Sequence, residues 1–143
     1  MRVQQLSVFL ENKPGRLAAV TKVLGEAHIN MRALCLADTS DFGVLRLIVT
    51  DPAAAVLVLK AAGFVTRLTD VIAVEVPDRP GGLSHIMEAL GSADVSVEYL
   101  YAFTEKFRDN ALVIFRVEDI DKAVDTLAAS GVQVVPSAEV YAL

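Results

Sequence analysis

Residues 11–17 read ENKPGRL and residues 77–83 read PDRPGGL. Each closes one apolar run and opens another at a Pro-Gly pair, a dipeptide that marks a sharp turn. When the chain is slid on itself so that Pro14-Gly15 lies over Pro80-Gly81, the surrounding residues agree. Leu6, Val8 and Leu10 fall on Ile72, Val74 and Val76, while Leu17, Val20 and Leu24 fall on Leu83, Ile86 and Leu90. Ile29 and Met31 lie over Val95 and Val97. A slip of one residue in the next loop then sets Leu45, Leu47 and Val49 against Leu112, Ile114 and Arg116, and Asp51 against Glu118. An internal repeat of this kind fixes the architecture before any local reading.

The order of elements is the same in both copies. LSVFL and VIAVEV are apolar and β-branched, as strands are. After Pro-Gly comes a stripe at helical spacing, Leu17, Val20, Leu24 and Ala27 in the first copy and Leu83, Ile86, Met87 and Leu90 in the second, which predicts one buried helix face each. INMRALCLA and VSVEYLYAF alternate at period two, and the turns DTSDFG and TEKFRDN join them to GVLRLIV and ALVIFRV as hairpins. Asp51-Pro52 and Glu118-Asp119 open a second helix that stops at Gly63 and Gly131. FVTRL and VQVVP close the copies. The order β-α-β-β-α-β is the ferredoxin-like arrangement, an antiparallel sheet with both helices on one face, so the chain reads as α+β in two tandem units, residues 1–68 and 69–143.

Composition excludes several functions. With 54% hydrophobic and 22% charged residues among 143, and a mean hydropathy of +0.48, the chain has ample material for a core. A net charge of -5 and a pI near 4.9 leave no basic footprint for nucleic acid or an anionic membrane. Tyr99, Tyr101 and Phe103 share one side of a strand, but the first copy has Ala33, Cys35 and Ala37 there, so the stripe reads as core or interface rather than an RNA platform. No apolar run is long enough to span a bilayer, and the start MRVQQLSVFLENKPG lacks a signal-peptide pattern, so a cytoplasmic protein is expected. Cys35, the single cysteine, excludes a disulfide within the chain and reads as a small core residue. No triad, paired-His metal spacing or phosphate loop is present, so neither catalysis, a metal nor a cofactor is expected.

The repeated unit resembles the ACT domain. The resemblance rests on Asn12-Lys13-Pro14-Gly15-Arg16-Leu17 with Ile29-Asn30-Met31, and on Asp78-Arg79-Pro80-Gly81-Gly82-Leu83 with Val95-Ser96-Val97. It spans essentially the whole chain and departs at Ser96, where the second copy lacks the Asn. The resemblance implies a free-standing regulatory module that binds a small ligand, usually an amino acid, between paired domains. Its site residues would be Asn12, Lys13, Pro14, Gly15, Arg16, Leu17, Ile29, Asn30 and Met31, and in the second copy Asp78, Pro80, Gly81, Gly82, Leu83 and Ser96. The first corner is expected close to Asn30.

The residues support such a role on their own terms. The first N–H groups of a helix lack intrahelical partners and lie at the positive end of its dipole, so they receive a carboxylate. A glycine without a Cβ lets a ligand approach, and Gly15→Val is expected to block it while leaving the fold intact if φ is negative. The same corner is also an ordinary helix start, with Pro near N1 behind Asn or Asp. Asn30 offers donor and acceptor, or is a turn residue in αL geometry. His28 reads as a solvent-facing helix end, and His85 lies near the second corner. The rival reading is a module that binds a protein with no small ligand, such as an enzyme it regulates. The helix in DPAAAVLVLKAAG is apolar nearly all round, which points to a homodimer through Val58 and Leu59. Units of this size have marginal cores alone. Residues 1–68 expressed by themselves are therefore expected not to give a soluble monomer with a cooperative urea transition.

Overall fold

A computed structural model describes residues 1–38 and 41–143. The chain runs β1 (Val3–Glu11), α1 (Arg16–Glu26), β2 (Met31–Asp38), β3 (Phe42–Val49), α2 (Pro52–Ala61), β4 (Val65–Val76), α3 (Gly82–Ser92), β5 (Val97–Ala102), β6 (Ala111–Val117), α4 (Ile120–Ala129), β7 (Val134–Val135) and α5 (Ser137–Tyr141). The first hairpin turn, DTSDFG, includes Thr39 and Ser40, which lie outside the described residues. Two units divide the chain. The first is Gln4–Thr69 with Tyr141–Leu143, and the second is Asp70–Val140 with Met1–Val3. FVTRL and VIAVEV, read separately above, are one continuous strand of 12 residues. No Gly or Pro interrupts it, and Val65, Thr66, Thr69, Val71 and Ile72 supply the β-branched side chains that favour extended backbone.

In the second unit the strands lie in the order β5-β6-β4-β7, all antiparallel. This is the ferredoxin-like order. In the first unit β2, β3 and β1 are arranged as β5, β6 and β4 are. Pairing fixes which side chains meet the helices. Leu6 lies opposite Leu47 and Val8 opposite Leu45, and these residues form one core with Val20 and Leu24 of α1 and Ala55 and Leu59 of α2. Ile72 lies opposite Phe115 and Val74 opposite Val113, forming the second core with Ile86 and Leu90 of α3 and Ala123 and Leu127 of α4. Leu17 and Leu83, the first members of the two helical stripes, stand outside these cores at 40% and 38% exposure.

This register corrects the repeat alignment. Because Leu6 pairs with Leu47 while Ile72 pairs with Phe115, the counterparts of Leu45, Leu47 and Val49 are Val113, Phe115 and Val117. The slip in the hairpin is two residues, not one. A single-residue shift exchanges the faces of a strand, and Arg116 on the supposed apolar face was the sign that it had done so. The same two-residue slip matches Asp51 with Asp119 rather than Glu118. Both are helix N-caps, and their carboxylates accept hydrogen bonds from the N–H of Ala54 and of Lys122.

On the face away from the helices, Tyr101 pairs with Ile114 and is 8% exposed, so that part of the aromatic stripe is buried. Cys35 is half-buried opposite Arg46 and lies outside the helix-side core. The short helix α5 has no counterpart in the sequence reading. Its Val140 is fully buried, and the Arg108 guanidinium holds its Glu139 carboxylate.

The apolar helix α2 presents Leu59 inward at 0% exposure and Leu57 outward at 70%. Leu59 belongs to the core of its own unit, so a charge there tests folding rather than self-association. Leu59→Ala should cost about 2–5 kcal/mol in urea unfolding. Leu57→Ala should stay within about 0.5 kcal/mol of wild type.

Candidate functional site

The two corners share one backbone device. Gly15 and Gly81 have φ of 87° and 84°, in the left-handed region, and are the N-caps of α1 and α3. The helices begin at Arg16 and Gly82, so Pro14 and Pro80 lie two residues ahead of N1 rather than near it. The left-handed glycine, not the proline, turns the chain from strand to helix. A Cβ on Gly15 or Gly81 would meet nothing within 4 Å. Glycine is needed there for its φ, which overturns the condition placed on Gly15→Val: a β-branched residue is strained at positive φ. Gly82 differs, because a Cβ there would lie 2.2 Å from the Pro77 carbonyl oxygen.

Among the described residues no side chain caps α1 or α3. The helices α2 and α4 are capped, by Asp51 and Asp119. The corners therefore keep their first-turn N–H groups free of side-chain caps, with Leu17 and Leu83 exposed beside them. The Asn12 N–H donates to the Asp41 carbonyl at 3.0 Å, which ties the first corner to the hairpin. Lys13 Nζ lies 2.8 Å from Glu11 Oε2. The hydrogen bond and charge of Lys13, with a smaller contribution from Arg16, hold the Glu11 carboxyl below its usual range. Arg16 lays its guanidinium 4.7 Å from the Phe64 ring centroid. In the second unit Asp78 pairs with Lys106 at 3.2 Å.

The segment around Asn30 is elsewhere. It follows the last turn of α1, so the 11 residues of the helix separate it from Gly15 by about 16 Å at 1.5 Å per residue. Within a unit the structure does not bring Asn12, Pro14, Gly15, Arg16 and Leu17 to Asn30, contrary to expectation. Instead the Asn30 carbonyl accepts from the Thr50 N–H at 3.0 Å, and its own N–H donates to Thr50 Oγ1 at 3.2 Å, beside the cap of α2. Ile29 is buried at 7% exposure and Met31 packs partly against the core. The αL turn residue is His28, with φ 57°, not Asn30. Ser96 occupies the corresponding place in the second unit, in a groove of about 510 Å³ with Asp94, Glu118, Asp119 and Lys122.

Sequence reasoning missed a cavity of about 400 Å³ at the second corner. Pro77, Arg79, His85 and Ile86 line it from the corner and α3, and residues 130–133 from the turn after α4. Glu75 and Asn110 also line it, joined by a 2.7 Å hydrogen bond from Asn110 Nδ2 to Glu75 Oε1. His85 was the one sequence signal, one turn into a helix that opens at the corner. Among the described residues no cluster of three His, Cys, Asp or Glu side chains is placed to hold a metal, and no helix is long and apolar enough to cross a membrane.

The model of one protein family, described as an ACT domain pair, matches residues 1–143. The chain belongs to that family. ACT domains are of the regulatory kind, and the pair accounts for both copies of the repeat. The structure of protein BT0572 from Bacteroides thetaiotaomicron is similar over 100% of this chain and 98% of that one, with 39% identity and a TM-score of 0.94. The regulatory subunits of aspartate kinase from Thermus flavus and Thermus thermophilus, the latter ligand-free, share the fold. Their TM-scores are 0.62 and 0.64 at 16% and 17% identity, over 90% and 89% of this chain and 92% and 91% of theirs. No curated protein matches the sequence.

The glycines of this ACT pair give a stability test. Gly15→Ala should cost about 1–2 kcal/mol for left-handed backbone alone. Gly82→Ala should cost more, since a backbone carbonyl must move. Urea midpoints of the two variants check the order.

Proposed function

We propose that this ACT domain pair is a regulatory protein that senses a free amino acid at a Pro-Gly corner. The observation that carries the reading is the contrast in helix capping: α2 and α4 are closed by aspartates, whereas α1 and α3, behind left-handed glycines, have no side-chain cap among the described residues. A carboxylate on the uncapped first turn gains its N–H groups and the positive end of the dipole. Leu17 and Leu83, exposed in those first turns, offer apolar contact to an aliphatic side chain. A change in domain stability on binding is then the signal passed to an enzyme partner.

A second reading, contact with a protein or a second copy of the chain without a small ligand, is favoured by Leu57, Leu34 and Leu36. They are 70%, 47% and 50% exposed in the first unit.

Thermal unfolding in the presence of each standard amino acid separates the two. Ligand at about 100 times its Kd stabilises by about 2.7 kcal/mol, and at roughly 2–4 °C per kcal/mol for a chain of this size the melting point should rise several degrees. A flat response to every amino acid leaves the protein-contact reading as the better one.

A further inference from the structure

The sheet of the first unit ends at β2, which pairs with β3 alone among the described residues. The outward N–H and C=O groups of such an edge strand form a template for another strand, and proteins guard it with Lys, Pro or an inward charge. From Ala33 to Ala37, β2 carries none of these. Leu34 lies opposite Leu47 and Leu36 opposite Leu45, which places both on the helix side, yet both stay half-exposed. Ala33, Cys35 and Ala37 lie on the other face. Beyond the register shift between Met31 and Ala33 the alternation is unbroken, and by it Arg32 and Asp38 flank the two leucines in the helix-side row.

This strand is complementary to itself. Residues opposite each other in an antiparallel pair share a face, so a two-fold axis relating two copies of β2 passes through a residue. With the axis at Cys35, Leu34 meets Leu36 twice, Ala33 meets Ala37 twice, and Arg32 falls opposite Asp38 at both ends. An axis at Leu34 sets Arg32 against Leu36, and one at Leu36 sets Asp38 against Leu34, a charge on an apolar residue each time. Arg32 has no ion-pair partner among the described residues, and its Nε is buried without a hydrogen bond. The matching edge of the second unit, β5, lacks the pattern. Tyr101 stands there in the place of Cys35, and an axis through it sets Glu98 opposite Thr104, beyond the end of the strand. Glu98 is already paired with Arg116 at 3.3 Å.

We propose that two copies of the chain join through β2, antiparallel about a two-fold axis at Cys35, so that the first units of the two copies share one sheet. The inference rests on the protein-contact reading above and names both the occupant, a second copy, and the register. Main-chain hydrogen bonds along the joined edges hold the pair, and the leucines with their flanking charges fix its register.

Sedimentation equilibrium of the full chain, with and without a short bismaleimide that links thiols, tests it. The wild type should be a dimer that dissociates on dilution, and the reagent should trap it covalently through Cys35, the single cysteine. Directly opposite residues have Cβ atoms about 4.5–5.5 Å apart, within reach of such a link. Leu36→Lys, at a half-exposed position, should raise the dimer dissociation constant about tenfold or more. Arg32→Glu should do the same by setting like charges opposite each other, and Arg32→Glu combined with Asp38→Arg should restore the dimer. Should Arg32→Glu fail to fold, the thiol link and Leu36→Lys decide. A dimer that the reagent does not link and that Leu36→Lys leaves intact overturns the β2 assignment while contact with a second copy stands. A monomer at every concentration removes that contact, and this inference with it.

Discussion

A left-handed glycine in the turn between the first strand and the first helix of each copy is the constraint on which the rest of each unit depends. The chain leaves a strand at Glu11 or Val76 and enters a helix at Arg16 or Gly82, and the last residue before each helix, Gly15 or Gly81, has φ near +85°. An L side chain resists that conformation, so the turn is written in glycine. Once it is made, the helix is laid on one face of the sheet with Val20 and Leu24, or Ile86 and Leu90, directed at the strands. The device also leaves a cost at the helix start, because glycine has no side chain with which to cap the first turn. The same residue thus turns the chain toward the core and leaves the N-cap position without a capping side chain.

Strand register carries that choice through the sheet. Successive side chains alternate faces, so the pairs Leu6 with Leu47 and Ile72 with Phe115 settle which side of every neighbouring residue is apolar. Both copies also have a register shift early in the second strand, between Met31 and Ala33 and between Val97 and Tyr99. A bulge of this kind re-aims the side chains that follow it. It is why Tyr101 is buried opposite Ile114, on the face away from the helices.

Repetition of the backbone did not bring repetition of the chemistry. At the first corner an arginine stacks on a phenylalanine, and a lysine pairs with a neighbouring glutamate. The second has a cavity lined by an arginine whose guanidinium has no partner among the described residues.

The sequence by itself determined the repeat, the β-α-β-β-α-β order, the α+β class and the resemblance to ACT domains, because apolar periodicity and turn glycines are local and survive without knowledge of contacts. It placed the ends of the second helices through Asp51, Gly63 and Gly131. It also carried the clue to its own misalignment in Arg116. Only tertiary structure decided the rest. The two-residue slip in the hairpin needed strand partners, and the continuity of β4 needed the path of the backbone across residues 68–70. The distance between Gly15 and Asn30 needed the length and direction of α1. The cavity needed most, since its walls come from residues as far apart in sequence as Pro77, Asn110 and Gln133. Convergence of such residues is a property of packing, which no local pattern records.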